Sequence, residues 1–300
     1  MLISQLGERG LIERLRRRIR TDSSVLVGSG DDCAVLRFDR KNYQLFTCDM
    51  LVEGVDFTRG DNPYLVGRKA IAVQASDIAS CGGIPKHCVV AVGAPPRTAV
   101  RVLDRLLEGM LEITKRFKIN LVGGDFSRAN KLVIDVAMLG VVEKKNLVLR
   151  NGAGIGDIIL VTGSLGGSIK GKHLKFTPRV KEARSLVESF KINAMIDISD
   201  GLMADLSQIL KRSKVGAKIY EERIPLSREA GGISDALFSG EDFELLFTAS
   251  RSQAGRILKR FPGKIRAIGE IVGRKHGLRL IGKKLSEKRI SPLGGFDHFR

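Results

Sequence analysis

The sequence predicts an α+β chain of two domains, and three observations lead there. Its 300 residues, 43% hydrophobic and 28% charged, suit one large or two medium globular domains that bury roughly 75% of the unfolded surface. Strand-period and helix-period segments alternate through the N-terminal half, as in an α+β or α/β unit. The polar run Glu143-Lys-Lys-Asn-Leu-Val-Leu-Arg-Asn-Gly152 then reads as a linker and divides the chain into residues 1–144 and 145–300.

The bulk properties narrow the function classes. No stretch has the length of a membrane span. Met1–Arg20 places its arginines after its apolar residues and has no small-residue cleavage site, so neither a signal nor a transit peptide is expected and the chain is placed in the cytoplasm. Cys33, Cys48, Cys81 and Cys88 form no C-x-x-C pair; thiols packed as small apolar residues are expected, without zinc or disulfides. The net charge of +18 raises nucleic acid as a partner, but its distribution argues against it. Residues 251–300 carry 14 Lys/Arg against 3 Asp/Glu and residues 1–20 carry 6 against 2, which leaves only +3 for the rest. With 13 Phe, 3 Tyr and no Trp, nothing resembles the aromatic strands that stack bases. A solvated helix face is the better account of the arginines in Leu11–Arg20, where Leu11, Leu15 and Ile19 share the opposite face.

In order, Val25–Val27 reads as a strand, followed by the tight loop Gly28-Ser-Gly-Asp-Asp32 with two adjacent acids and a second strand from Cys33 to Phe38. Gly and Asp are also what a simple hairpin turn uses. Tyr43–Met50 is a third strand, with Thr47-Cys48-Asp49 near its end. Asn62-Pro63 caps a helix through Ser80. Asp77 lies near the C-terminal end of that helix, where a carboxylate opposes the macrodipole, so a cation-binding role explains it better than helix stability. His87–Pro95 reads as a strand and Val100–Phe117 as an amphipathic helix. Ile119–Val122 is a strand running into Gly123-Gly-Asp125, and Lys131–Val142 a further strand. The two glycines permit close backbone approach to a ligand.

The second half opens with a turn and strand, Gly156–Gly163, then Gly166-Gly-Ser-Ile-Lys-Gly171-Lys172-His173, one residue short of a P-loop. His173 stands where a P-loop needs a Ser or Thr hydroxyl, so a glycine-rich lead into a helix is the preferred reading. The most informative stretch is Ala194-Met-Ile-Asp-Ile-Ser-Asp-Gly-Leu-Met-Ala-Asp205. There a strand turns into a helix with Leu202, Leu206, Ile209 and Leu210 on one face, Ser199 as N-cap and Asp200 in the first turn. Capping alone explains Ser199 and Asp200. It does not explain Asp197, a carboxylate among Met195, Ile196 and Ile198, which needs a cation or hydrogen-bond donors to hold its charge. Phe238-Ser-Gly-Glu241-Asp-Phe-Glu-Leu-Leu-Phe247 is a Gly-Glu turn leading into an apolar strand.

The acids at element ends are Asp32, Asp49, Asp77, Asp125, Asp197 and Asp200, with no competing His or Cys pattern. Two like charges 4 Å apart cost about 4 kcal/mol at an effective dielectric of 20, so a converging set must take protons or hold cations. Oxygen-only ligation favours Mg²⁺, and Mg²⁺ shared with substrate phosphates points to phosphoryl transfer.

These segments, in this order, resemble the thiamine-monophosphate kinases of the aminoimidazole-ribonucleotide-synthetase-like superfamily. The resemblance is carried by Gly28–Asp32, Thr47–Phe57, Ala75–Ala79, Leu121–Asp125, Ile196–Gly201 and Ser239–Phe247, with Gly295–Phe299 similar to the family's C-terminal tail. It implies a two-domain α+β protomer whose N-terminal domains pair in a homodimer, with ATP in a cleft between domains and thiamine monophosphate as acceptor. By position it implies Asp32, Thr47, Cys48, Asp49, Asp77, Asp125, Asp197 and Asp200 as ligands of several Mg²⁺ ions, some through backbone or water. Gly124, Asp125, Arg150 and Ser199 would contact ATP, Asp125, Asp197 and Asp200 would carry catalysis, and Glu241 would face the substrate. Arg150 has independent support in the fit of a guanidinium to phosphate, against the alternative of a solvated linker arginine.

Departures concentrate on the substrate side. Cys48 stands where the family commonly has Thr, Asp56 where many members have a substrate-facing His, Leu293 where an aromatic flanks the thiamine, and Gly171–Pro178 looks shortened. Two other readings stand beside the kinase: an ATP-dependent enzyme of the same superfamily with another acceptor, and a basic nucleic-acid-binding protein.

Overall fold

The computed structural model describes residues 2–282, 286–290 and 298–299. The first half runs α1 (Ile3–Arg16), β1 (Val25–Val27), β2 (Ala34–Arg37), β3 (Asn42–Val52), α2 (Pro63–Ser80), β4 (Ile84–Ala94), α3 (Val100–Phe117), β5 (Asn120–Arg128) and β6 (Val133–Glu143). The second runs β7 (Ile158–Thr162), α4 (Lys172–Lys175), α5 (Val180–Ser189), β8 (Ala194–Asp197), α6 (Leu202–Ser213), β9 (Gly216–Tyr220) and α7 (Ile233–Phe238). It closes with β10 (Leu245–Ala249), α8 (Arg251–Arg260), β11 (Ile265–Val272), β12 (Leu278–Ile281) and β13 (Glu287–Arg289).

Among the described residues the strands form two sheets, ordered β1-β2-β3-β6-β4-β5 and β13-β12-β9-β11-β7-β10-β8. Only β4–β5 and β9–β12 pair in parallel. Antiparallel pairing on this scale is α+β architecture and settles the α+β against α/β alternative.

Helix α2 joins the two sheets. Asn62 accepts a hydrogen bond from the Tyr64 amide at 3.0 Å, and Pro63 occupies the first turn, so the helix starts where the sequence expects. Its residues are buried almost all round, from Val66 to Ala79, as befits a helix with no polar face. One side packs on β3, β6 and β4, another on α3, and another on α4, α5 and β8. A Cβ on Gly67 would lie 2.0 Å from the Leu106 carbonyl oxygen, so the absence of a side chain sets how closely α2 and α3 approach. One hydrophobic core therefore runs from Leu45, Ile71 and Ile78 through to Leu186, Met195 and Phe247. The opposite face of the second sheet, with Ile159, Ile196 and Leu246, forms another core with Leu206 and Ile209 of α6.

Several sequence expectations need correction. Helix α1 ends at Arg16 and contains Gly7 at φ 66°, so Leu15 and Ile19 do not share a buried face; they are 52% and 55% exposed. The expected linker is packed: Asn146 and Val148 are buried, and Arg184 pairs with Glu143. Helix α6 starts at Leu202, two residues later than a Ser199 cap requires. Its N-cap is Gly201 at φ 111°, and Asp205 does the capping work by accepting from the Asp200 and Gly201 amides at 3.0 and 3.1 Å. Strand β5 does not end at Asp125 but runs on to Arg128, because edge pairing with β4 continues to Ala94. No helix among the described residues is long and apolar enough to cross a membrane, and Cys33, Cys48, Cys81 and Cys88 are all free.

Candidate functional site

A cavity of about 610 Å³ opens between the two halves, lined by acids from four separate elements. Strand alternation decides what β3 contributes. Thr47 and Asp49 face inward with Leu45 and Leu51, whereas Cys48 faces outward and its thiol donates to Asp135 Oδ1 at 3.2 Å. Thr47 donates to Asp77 Oδ2 at 2.6 Å. The last turns of α2 present Ser76, Asp77 and Ser80 on the side that meets the β1–β2 loop and β8. Ser80 donates to Asp32 Oδ2 at 2.7 Å, and Ser76 donates to Asp197 Oδ2 at 2.5 Å. One oxygen each of Asp32, Asp77 and Asp197 consequently lies within 4.8 Å of the other two. Arg150 donates to Asp32 Oδ1 at 2.5 Å while its amide donates to Asp31 Oδ2 at 3.1 Å, so it is not a solvated linker arginine.

Burial dominates the electrostatics. It raises Asp197 to about 7, with repulsion from Asp32 second, and raises Asp31 to about 7 for the same two reasons. Asp77 is pushed well up by burial and then by Asp49, Asp197 and Asp32; Asp49 is also raised, chiefly by burial. Carboxylates crowded and buried in this way either keep protons or take cations. The donors are all oxygen, the acids outnumber the one arginine in contact, and Asp49 Oδ2 is buried with no hydrogen-bond partner among the described residues. These features fit a hard divalent cation such as Mg²⁺.

The sign of the pH dependence follows. For Asp197 and Asp31, folded values near 7 against an ordinary 3.8 mean that the native state binds more protons between those limits. Their stabilising contribution is therefore full below about pH 4 and is lost as pH rises through 7. Metal-free protein in chelator is expected to melt higher at pH 5.5 than at pH 8, and millimolar Mg²⁺ should narrow the gap. Melting temperatures that rise with pH in chelator would contradict this assignment.

The other end of the cavity has different chemistry. Lys69, 1% exposed, donates to the Asp56 carbonyl oxygen at 2.9 Å and to Glu241 Oε2. His173 Nδ1 lies 3.0 Å from the same Glu241 oxygen. Glu241 sits at φ 66° in the turn before β10, fixed by its amide donating to the Ser199 carbonyl at 2.7 Å. The acid cluster and the Glu241 turn are thus tied through Ile198–Asp200. Phe243, stacked on Phe176 with ring centroids 4.2 Å apart, gives this end an apolar wall. Asp56 lines the cavity, with one carboxylate oxygen taken by the Val52 amide at 2.8 Å.

Of the residues singled out in the sequence, Asp32, Thr47, Cys48, Asp49, Asp56, Asp77, Arg150, Asp197, Ser199, Asp200 and Glu241 all border this cavity, Cys48 with its side chain turned away. Gly124 and Asp125 do not. Asp125 pairs with Ala91, which pairs with Asp135, which pairs with Met50; this row lies on the outer face and places Asp125 three strands from β3, about 14 Å. Gly124 lies against Val90, whose carbonyl oxygen would be 1.8 Å from a Cβ. Leu293 lies outside the described residues. Sequence reading missed Lys69, Ser76, Ser80 and Asp205, and treated His173 only as the failure of a P-loop. A lysine embedded in the apolar run of α2 was the available signal for Lys69.

Residues 30–142 match the family model of the AIR synthase related protein N-terminal domain, and residues 154–281 that of the C-terminal domain. Thiamine-monophosphate kinase of Rhodopirellula baltica is 35% identical over 307 residues, covering 96% of each chain. That of Aquifex aeolicus is 33% identical over 328 residues, covering 100% of each. The structure of AaThiL complexed with AMPPCP and TMP superposes with a TM-score of 0.86 at 30% identity, over 99% of both chains.

Proposed function

The chain belongs to the AIR synthase related family, and from its likeness to thiamine-monophosphate kinases along its length we propose that it phosphorylates thiamine monophosphate to thiamine diphosphate with ATP. The observation that carries the reading is one cavity with an acidic, arginine-bearing end for the nucleotide and a Glu241–Lys69–His173 end for the acceptor. A terminal phosphate oxygen of the acceptor attacks the γ-phosphorus of ATP, the bond to the ADP oxygen breaks, and ADP leaves. A phosphate monoester has its second pKa near 6, so at neutral pH the nucleophile is already ionised and the protein need neither deprotonate it nor form a covalent intermediate. What remains for the chain is positioning and charge control.

The residues that would hold Mg²⁺ are Asp32, Thr47, Asp49, Asp77, Asp197 and Asp200, with Cys48 able to contribute only its backbone. When bound, Mg²⁺ offsets the negative charge of the phosphates against these acids. Arg150, held by Asp32, keeps its guanidinium at the same end, where Ser199 also faces the cavity. We divide the chain functionally at residues 144 and 145 and place it in the cytoplasm.

The reading includes a homodimer. The outer face of the first sheet exposes Phe46, Met50 and Val89, apolar side chains that a second copy would cover. Two edges are open among the described residues: β5, and residues 47–51 of β3, which β2 does not reach. A two-fold pairing that joins one copy's β5 to the other's β3 closes both. It brings Asp125 beside Cys48 and Asp49 of the partner.

The decisive measurement is product formation. Purified protein with ATP, MgCl₂ and thiamine monophosphate should yield thiamine diphosphate and ADP in equal amounts. ADP without thiamine diphosphate at millimolar acceptor would overturn the acceptor assignment, and no nucleotide turnover with any phosphate acceptor would overturn the kinase.

A further inference from the structure

We infer that His173 is a specificity-determining residue, and that its Nε2 accepts a hydrogen bond from an amino group on the acceptor molecule. The inference rests on the proposed acceptor, whose pyrimidine ring carries one such group.

The placement of His173 is over-determined. It lies on the four-residue helix α4, behind a loop anchored from below by two buried acids. Asp242 accepts from the Gly166 amide at 3.0 Å and from the Ser168 hydroxyl. Glu244 accepts from Arg179 through two bonds of 2.7 Å. Lys172, the adjacent residue, donates to the Ser164 carbonyl at 2.8 Å and lies 3.4 Å from Glu244. Two fully desolvated carboxylates held by two cations fix the chain on both sides of position 173, which is more than a surface loop requires.

The partners of the ring then decide its tautomer. Burial works against ionisation of Glu241, but His173 and Lys69 more than offset it and hold the carboxyl below its ordinary range. An ionised carboxylate only accepts, so Nδ1 must be the donor in the 3.0 Å contact. The Lys69 ammonium, 3.4 Å from Nδ1, has no acceptor to offer and stands there as the charge that keeps Glu241 ionised. In the neutral ring this leaves the lone pair on Nε2. No described residue hydrogen-bonds to Nε2, and the ring borders the cavity between Glu241 and the Phe243 wall. An acceptor atom beside an aromatic face suits a flat heteroaromatic ring bearing an N–H.

The test compares thiamine monophosphate with oxythiamine monophosphate, in which a carbonyl replaces that amino group, in wild type, His173→Ala and His173→Gln. Wild type should favour the amino compound in kcat/KM. His173→Ala should lose activity mainly with that compound, so that the preference falls about tenfold or more. His173→Gln, which keeps an acceptor oxygen, should recover part of it. Equal losses with both compounds would mean that His173 only positions Glu241, and would overturn the inference. Calorimetric affinities for the two compounds carry the same ratio without turnover. A shifted binding ratio in a protein that transfers no phosphate therefore sinks the kinase reading and keeps this one, whereas wild type that binds neither compound, or both alike, sinks this one. Melting curves of both variants separate misfolding from altered recognition.

Discussion

Asp197→Asn should lower kcat by about 10³-fold or more while leaving the melting temperature of the metal-free protein unchanged or raised. Asn is isosteric and keeps an oxygen to accept the 2.5 Å hydrogen bond from Ser76, so packing and polar satisfaction survive. What disappears is a charge in a group whose members repel: a single like-charge contact at 4 Å is of order 4 kcal/mol at an effective dielectric of 20, and Asp32 and Asp77 both lie within 4.8 Å of Asp197. Removing it relieves the apoprotein and weakens the cation site together. Ser76→Ala is the contrast. It strips a supporting hydrogen bond and keeps the charge, so Mg²⁺ affinity should fall by about 10- to 100-fold with less effect at saturating metal. Isothermal titration with Mg²⁺, melting curves in chelator and steady-state rates at high Mg²⁺ read the three quantities. An Asp197→Asn protein that melts several degrees lower and still turns over would show that the carboxylate is structural.

The fold was legible where local chemistry fixes an element. Asn62-Pro63 starts α2, and the period of α3 (Val100–Phe117) appears at its full length. It was illegible where tertiary contacts decide. Ser199 has the right residue type for a cap, yet Gly201 takes the position because Asp205, four residues on, reaches back to two amides. Strand β5 carries Gly123-Gly124, which reads as the point where a strand ends beside a ligand. Instead it continues because β4 offers a parallel edge, and Gly124 is needed for the close approach to Val90.

The site divides along the same line. Acids at element ends are conspicuous in sequence, since a carboxylate beside apolar residues has no local partner. Their supports are not: Ser76 and Ser80 look like ordinary helix residues until α2 meets β8 and the Gly28–Asp32 loop. Lys69 and His173 are 104 residues apart in the chain and meet only because α4 packs on α2. Cys48 shows what the structure adds to a departure noted in sequence. Outward-facing on β3, its side chain cannot join the inner acids, so the substitution leaves that set intact and bears on the outer face alone.

Asp125 lies on that outer face, and it leads to the second large effect. Asp125→Asn and Asp197→Asn should each be nearly inactive as homodimers. Co-expressed or mixed under subunit exchange, they should regain about a quarter of wild-type activity, because random two-fold pairing makes half the dimers mixed and each mixed dimer has one intact site out of two. The reason is geometric. Within one chain Asp125 and Asp49 lie three strands apart in the sheet, about 14 Å, a separation no side-chain rotation spans. Joining β5 of one protomer to the open edge of β3 in the other brings Asp125 of the partner subunit to the Cys48–Asp49 segment. Both lesions in a mixed dimer then fall in the same site and leave the other site whole. If Asp125 acted within its own chain, each site of the mixed dimer would carry one lesion and mixing would restore nothing. Activity measured against mixing ratio, with sedimentation to verify exchange, distinguishes the two. A product-like curve peaking at equal proportions supports the shared site, and a flat line at the level of the parents rejects it.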